Sequence, residues 1–129
     1  MLGKHPVIAY IPVSDVSRAR KFYEDVLKLE PHEPNAAGVM YECGKGTRVF
    51  LYKSAGAGTN KASTLFWQVG DLDAEMKDLR GRGVKFEDYD MPGLKTQNGV
   101  AVGEGAKSAW FKDTEGNVLA VIQALRQPT

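Results

Sequence analysis

Trp110 to Gln123, WFKDTEGNVLAVIQ, reads as strand, tight turn, strand. Trp110 and Phe111 favour extended backbone. Asp113-Thr114-Glu115-Gly116-Asn117 is turn chemistry, with Asp at the front and then Gly and Asn, for which a positive φ costs little. Val118 to Ile122 is an apolar run too short for a helix. A lone hairpin is marginal in water, so it needs a sheet beside it and cover on one face. The rest of the chain supplies both, in a pattern that occurs twice.

Pro6 to Val13, PVIAYIPV, is β-rich, and its two prolines suit an edge position or an irregular strand. Ser14-Asp15 offers an N-cap, after which Val16, Ala19, Phe22, Tyr23, Val26 and Leu27 recur at steps of three and four. A helix over Asp15 to Lys28 follows, with Arg18, Lys21, Asp25 and Lys28 on its polar side. Leu29 to Glu33 reads as extended, closed by Pro34-Asn35. Gly38 to Cys43 and Arg48 to Lys53 are strands of a hairpin around Gly44-Lys45-Gly46. The small, flexible run Ser54 to Asn60 is a linker. The pattern then restarts: a strand over Ala62 to Val69, an N-cap at Gly70-Asp71, and a helix over Asp71 to Arg80 with an apolar stripe of Leu72, Met76 and Leu79. Gly81 and Gly83 stop that helix, and Val84 to Asp88 is extended. An irregular stretch, Tyr89 to Gly105, leads into the closing hairpin. Each half therefore reads β-α-β-β-β, an α+β arrangement. Val13-Ser14-Asp15-Val16 matches Val69-Gly70-Asp71-Leu72 at an offset of 56 residues, and Gly46-Thr47 matches Gly116-Asn117 at 70.

The 129 residues suffice for one domain with a real core, here expected as modules over about 1–54 and 61–129. With 43% apolar and 26% charged residues the chain is of the soluble globular class. A net charge of +1, spread evenly over both halves, argues against a nucleic-acid or anionic-membrane partner. The single cysteine, Cys43, excludes an internal disulfide and any CxxC motif, and reads as buried apolar filler. No apolar run is long enough to span a membrane and no apolar leader is present, so a cytoplasmic location is the expectation.

Three motifs in this order, VSDVSRARKFYEDVL at Val13 to Leu27, VGDLDA at Val69 to Ala74 and FKDTEGNVL at Phe111 to Leu119, resemble the vicinal-oxygen-chelate superfamily. That superfamily includes glyoxalase I, bleomycin- and fosfomycin-resistance proteins and extradiol dioxygenases. The resemblance covers nearly the whole chain. It implies two βαβββ modules whose sheets form an open U-shaped, barrel-like surface around a cleft, with helices outside and a homodimeric assembly. It also implies a divalent metal held on inner strand faces, suited to chelating adjacent substrate oxygens. The matching positions here are Ile8, Phe50, Thr64 and Ala120, which together offer one weak neutral oxygen. His5 falls on the opposite strand face from Ile8. His32 sits beside a turn, and both histidines read as solvent-exposed or capping. Glu42 and Glu115 read as solvated charges.

Alternation from Ile8 assigns the cleft lining: Ile8 and Tyr10, then Arg48, Phe50 and Tyr52, then Thr64, Phe66 and Gln68, then Val118, Ala120 and Ile122. This mostly apolar, aromatic set suits a small flat molecule with one or two polar atoms. A cationic drug such as bleomycin would favour an acidic lining, and Arg48 would face it. Lys95, Thr96, Gln97 and Asn98 on the long loop, which reads either as a lid or as a floppy insertion, are candidates for further polar contacts. The expected function is therefore metal-free binding of a small apolar or aromatic molecule, with no cofactor. The alternatives are a lyase or dioxygenase-type oxidoreductase of the same superfamily, with Tyr10 or Tyr52 as proton donor and Arg48 at an oxyanion, and a filled-cleft scaffold acting through protein contacts. Elemental analysis of purified protein is expected to find no stoichiometric transition metal. About one ion per chain, lost on His5→Ala, would revive the metalloenzyme.

Overall fold

Asp15 and Asp71 open the two helices of this chain in the same way. Both have extended backbone, φ −133° and ψ 102° for Asp15, φ −143° and ψ 97° for Asp71. Their carboxylates accept from the N–H three residues on, Arg18 at 3.0 Å and Ala74 at 3.1 Å, the bond that satisfies an otherwise orphaned helix donor. The computed structural model containing them describes residues 1–103 and 105–124; the expected end of the second module lies outside these. The chain divides into two compact units, Met1–Asn60 with Thr114–Asn117, and Lys61–Asp113 with the strand that follows Asn117.

In the first unit, β1 (Ile8–Val13), β2 (Glu30–Pro31), β3 (Val39–Glu42) and β4 (Arg48–Lys53) form a sheet of order β1-β4-β3-β2. β1 runs parallel to β4 and, with Pro12, is an edge strand. The odd-numbered residues Ile11, Val13, Val39, Tyr41, Val49 and Leu51 are all buried, as are Ala19 and Tyr23 of the helical segment. Removing each such side chain from water contributes about 1.5–3 kcal/mol for the larger aliphatic and aromatic ones. Tyr23 stacks on Tyr41, with ring centroids 6.1 Å apart. The Tyr41 hydroxyl donates to Glu24 at 2.7 Å; burial, with the adjacent carboxylate, pushes its pKa well above the usual phenol value. The helix is not uniform as expected over Asp15 to Lys28. α1 covers Val16–Lys21, and Phe22–Val26 is wound more widely, Leu27 N–H reaching back five residues to the Phe22 carbonyl at 3.0 Å. Lys28, at φ 61°, ends it in the left-handed region.

In the second unit, β5 (Ser63–Gln68), α2 (Leu72–Gly81), β8 (Ala101–Val102), β9 (Ala106–Lys112) and β10 (Val118–Ala124) repeat the plan, with sheet order β5-β10-β9-β8. Leu72, Met76 and Leu79 are buried, as the apolar stripe requires, along with Ala109, Phe111, Leu119 and Val121. Gln123 accepts from Leu72 N–H at 2.9 Å, tying β10 to the start of α2. The repeat survives at the level of pairing: Tyr10 opposes Phe50, and their counterparts Phe66 and Ala120 oppose each other. Tyr23 and Leu79, matched by the 56-residue offset, are both buried. The turn glycines Gly46 and Gly116 both take positive φ, 76° and 85°.

Two stretches depart from expectation. Val84 to Asp88 is not a strand; only Phe86 bridges to β9, at Phe111, while β8 pairs with Ser108 and Lys107 further along the same strand. The 89–105 stretch is not irregular throughout. It contains a small hairpin, β6 (Asp90–Met91) with β7 (Leu94–Lys95), and a Gln97–Val100 bridge. Asp88 gathers it, accepting from Thr96 Oγ1 at 2.7 Å and Gly99 N–H at 2.8 Å. These bonds hold the Asp88 carboxyl below the usual range. Arg80 adds a bond to the Asn98 carbonyl at 2.8 Å.

Glu115 overturns its reading as a solvated charge. Its side chain is fully buried within the first unit. Oε1 accepts from Ser14 N–H (3.0 Å), Ser14 Oγ (2.8 Å) and Asp15 N–H (2.8 Å). Arg18 donates to both carboxylate oxygens, Nε at 2.8 Å and Nη2 at 3.0 Å, and Thr114 Oγ1 donates at 2.8 Å. A carboxylate so supplied at a helix N-terminus meets donors and a favourable dipole together. The Arg18 guanidinium, with Asp15 N–H and the Thr114 and Ser14 hydroxyls, outweighs the cost of burial and holds the Glu115 pKa at about 2, down from 4.5. A depressed carboxylate stabilises the fold above its unfolded pKa, and that contribution is lost as pH falls through the folded value. Glu115→Gln is therefore expected to cost about 2–3 kcal/mol at pH 7. In urea titrations its deficit against the parent chain should shrink as pH drops from 4.5 toward about 2; a deficit independent of pH would refute this account.

Candidate functional site

The pairing register decides which side chains share the face of the first sheet that carries no helix. Ile8 opposes Arg48, Tyr10 opposes Phe50 and Pro12 opposes Tyr52, with Met40 and Glu42 across from Phe50 and Arg48 on the other side. The structure thus brings Ile8, Tyr10, Arg48, Phe50 and Tyr52 together, as alternation predicts. Tyr10 stacks on Tyr52, centroids 3.8 Å apart at 22°, and lies tilted against Phe50 at 5.9 Å. Tyr10 is 65% exposed and Ile8 36%, whereas their odd-numbered neighbours Ile11 and Val13 are at most 1%. An aromatic platform this open is not core.

Beside the rings lies a charged group that the sequence reading missed. Oε1 of Glu42 takes Arg48 Nε at 2.9 Å and His32 Nε2 at 2.9 Å. Glu42 is thus an ion-pair partner facing the platform, rather than a plain solvated charge. His32 is exposed as expected, yet tied to Glu42. The five-residue span between Glu42 and Arg48 contains the signal, because it makes them opposing residues on one face. Cys43, read as buried filler, is only half-buried.

The second sheet presents Phe66, Gln68, Ala120 and Ile122 on one face, Ala120 opposing both Phe66 and Trp110. Phe66 is 57% exposed, while Ala120 is buried, so the latter offers a ligand little surface. Thr64 falls where the pairing of β5 with β10 is irregular. Register shifts between Val118 and Leu119, so that Ser63 and Leu65 oppose these neighbours and Thr64 is the extra residue of a bulge. Its hydroxyl donates to the Val118 carbonyl at 3.0 Å. On the long loop, Thr96 and the Asn98 carbonyl are engaged internally. Gln97 and Asn98 line a depression of about 460 Å³ with Lys77 and Arg80.

The profile of the Glyoxalase/Bleomycin resistance protein/Dioxygenase superfamily matches residues 4–121. The chain belongs to this superfamily. Solved structures agree on the fold. TnmS3, an antibiotic binding protein from Streptomyces sp. CB03234, is 24% identical with a TM-score of 0.69, over 93% of this chain and 95% of its own. A glyoxalase/bleomycin resistance protein/dioxygenase from Alicyclobacillus acidocaldarius is 15% identical at TM-score 0.73, over 95% and 92%. A superfamily member from Sphaerobacter thermophilus DSM 20745 is 24% identical at 0.67, over 92% and 96%. No curated protein matches the sequence significantly. No helix among the described residues is long and apolar enough to cross a membrane.

The superfamily's metal does not fit the residues at its usual positions. Ile8, Phe50 and Ala120 have no donor atom, and the Thr64 hydroxyl is bonded to the main chain. Among the described residues no three His, Cys, Asp or Glu side chains converge as a ligand set. A catalytic divalent site needs about three protein ligands and an open position, which Ile8, Phe50, Thr64 and Ala120 do not supply. The two faces of the first sheet make a direct check. Leu51→Ala is expected to cost about 2–5 kcal/mol of stability, whereas Tyr10→Ala should cost less than about 1 kcal/mol. Thermal or urea unfolding that showed Tyr10→Ala as costly as Leu51→Ala would make the platform core.

Proposed function

We propose that this superfamily member binds a small, flat, largely apolar or aromatic molecule without a metal, stacking it on Tyr10, Phe50 and Tyr52. The observation that carries this reading is a row of rings on a helix-free sheet face, half-buried Phe50 and Tyr52 each packed against Tyr10, which keeps 65% of its surface exposed. Ring faces offset-stack on planar ligands, each contact adding about 0.5–1.5 kcal/mol beyond area burial. Phe66, Gln68 and Ile122 on the second sheet supply a smaller apolar surface of the same kind, with Thr64 and Ala120 contributing shape more than contact. The similar fold of an antibiotic binding protein supports small-molecule binding as a use of this scaffold, although fold alone does not assign a ligand. The reading includes a cytoplasmic protein organised as one domain of two modules, sequestering or carrying its ligand as a homodimer.

Isothermal titration with 2-naphthamide, a neutral planar probe, tests it. Tyr10→Ala and Phe50→Ala should each weaken binding by about 1 kcal/mol, the scale of one lost ring contact, with the fold intact by circular dichroism. Unchanged affinity in both variants would remove the platform from the site.

A further inference from the structure

The proposed platform has a second row whose chemistry narrows the ligand class. Rung by rung across the first sheet, Met40, Phe50 and Tyr10 share one row, and His32 joins it through its N–H bond to the Met40 carbonyl at 2.7 Å. Glu30, Glu42, Arg48 and Ile8 form the next row. The first row carries two of the rings, with Tyr52 in the row beyond opposite Pro12 and stacked on Tyr10, and the second carries a cation paired with Glu42. Glu42 grips Arg48 through Nε at 2.9 Å, and Glu42 is itself held by His32 at 2.9 Å. Glu42 is the carboxylate paired with Arg48, whose side chain is 45% exposed.

A guanidinium has donors on all three nitrogens and no acceptor. With Nε lying 2.9 Å from the Glu42 carboxylate, the two Nη groups are left to present a planar fork whose complement is a pair of acceptor oxygens in one plane, the geometry of a carboxylate. Arg48 and Phe50 are two residues apart on β4, so the fork sits about 6–7 Å from the ring row along the strand. That is about the reach from the middle of a fused bicyclic ring system to a carboxylate on its edge. We propose that this face selects planar aromatic carboxylates, the rings lying on Tyr10, Phe50 and Tyr52 and the carboxylate taken by the Nη groups of Arg48. The inference rests on the stacking reading above and adds the polar group that the ligand must carry. Glu42 offsets the charge of Arg48, so selection comes from the fork and not from a broad positive field. Glu30 lies two strands from β4, about 10 Å away and in solvent, where salt screens it. Ile8 closes the row on the other side with an apolar surface and no rival charge.

The test is titration of the full chain with 2-naphthoate and with 2-naphthamide at physiological salt. The parent chain should bind 2-naphthoate about tenfold or more tightly than the amide, the scale of a charge-assisted hydrogen bond. Arg48→Gln, at an exposed position, should abolish that preference by weakening 2-naphthoate about tenfold, with 2-naphthamide within about twofold of its parent affinity. Equal binding of the two probes by the parent chain, both sensitive to Tyr10→Ala, would overturn the carboxylate assignment and leave the stacking reading standing. Equal losses for both probes in Arg48→Gln would reduce Arg48 to a part of the platform and overturn the assignment. Binding of neither probe would overturn both readings. If sedimentation then also showed a dimer that Tyr10→Ala dissociates, the face would belong to a second copy of the chain.

Discussion

A buried carboxylate ringed by donors is the interaction on which the first unit turns. Glu115 comes from the turn before the last strand, yet its partners are Ser14, Asp15 and Arg18 at the start of α1 and its neighbour Thr114. An ionised carboxylate out of water is costly unless its lone pairs are met. Here they are, by main-chain N–H groups that α1 cannot satisfy internally and by an arginine one turn along. Asn117 extends the attachment, donating to the Pro12 carbonyl at 2.8 Å and accepting from Gly58 N–H at 3.2 Å. Gly58 in turn must be glycine: φ is +72° and a Cβ would stand 2.5 Å from the Glu115 carbonyl oxygen. The end of β1, the start of α1, the linker and the distant turn are thereby fixed by one polar knot.

With α1 fixed, the two faces of the first sheet have different fates. The helical segment covers the odd-numbered residues, so Ile11, Tyr41 and Leu51 become core. The even-numbered ones are left to solvent or to a ligand, and they are rings and charges: Tyr10, Phe50, Tyr52, Glu42, Arg48. Stacking of Tyr10 on Tyr52 and the pairing of Arg48 with Glu42 hold these side chains in place before any ligand arrives. Preorganisation of this kind lowers the ordering cost of binding.

What the sequence made legible was local and periodic. The helix caps at Asp15 and Asp71, the apolar stripe of Leu72, Met76 and Leu79, the closing hairpin and the 56- and 70-residue offsets all follow from spacing, and spacing is what a chain displays openly. The parity of the first-sheet face was equally readable from Ile8 onward. What stayed hidden depends on partners remote in sequence. Nothing near Glu115 announces that its donors lie about a hundred residues upstream. Glu42 becomes an ion-pair partner only once the β3–β4 register is fixed. The bulge at Thr64 is a disagreement between two strands, invisible in either alone. Asp88, which folds Thr96 and Gly99 back upon itself, lies just before the stretch that looked irregular.

The pseudo-symmetry of the backbone is not carried into the chemistry. Tyr10 and Phe66 are counterparts, as are Phe50 and Ala120, and each pair is matched in register. Yet the first unit sets ring against ring, with an arginine one row away, whereas the second sets Phe66 against a buried alanine. Duplicating a βαβββ plan guarantees where side chains emerge, not what they are. In superfamily relatives that hold a metal, ligands would have to emerge at those same inner positions. Here the positions that the resemblance assigns to a metal hold Ile8, Phe50 and Ala120, hydrocarbon side chains that cannot coordinate but add apolar area able to stack and exclude water. The proposed recognition surface therefore falls in the first unit, where an aromatic row and a guanidinium paired with Glu42 stand side by side.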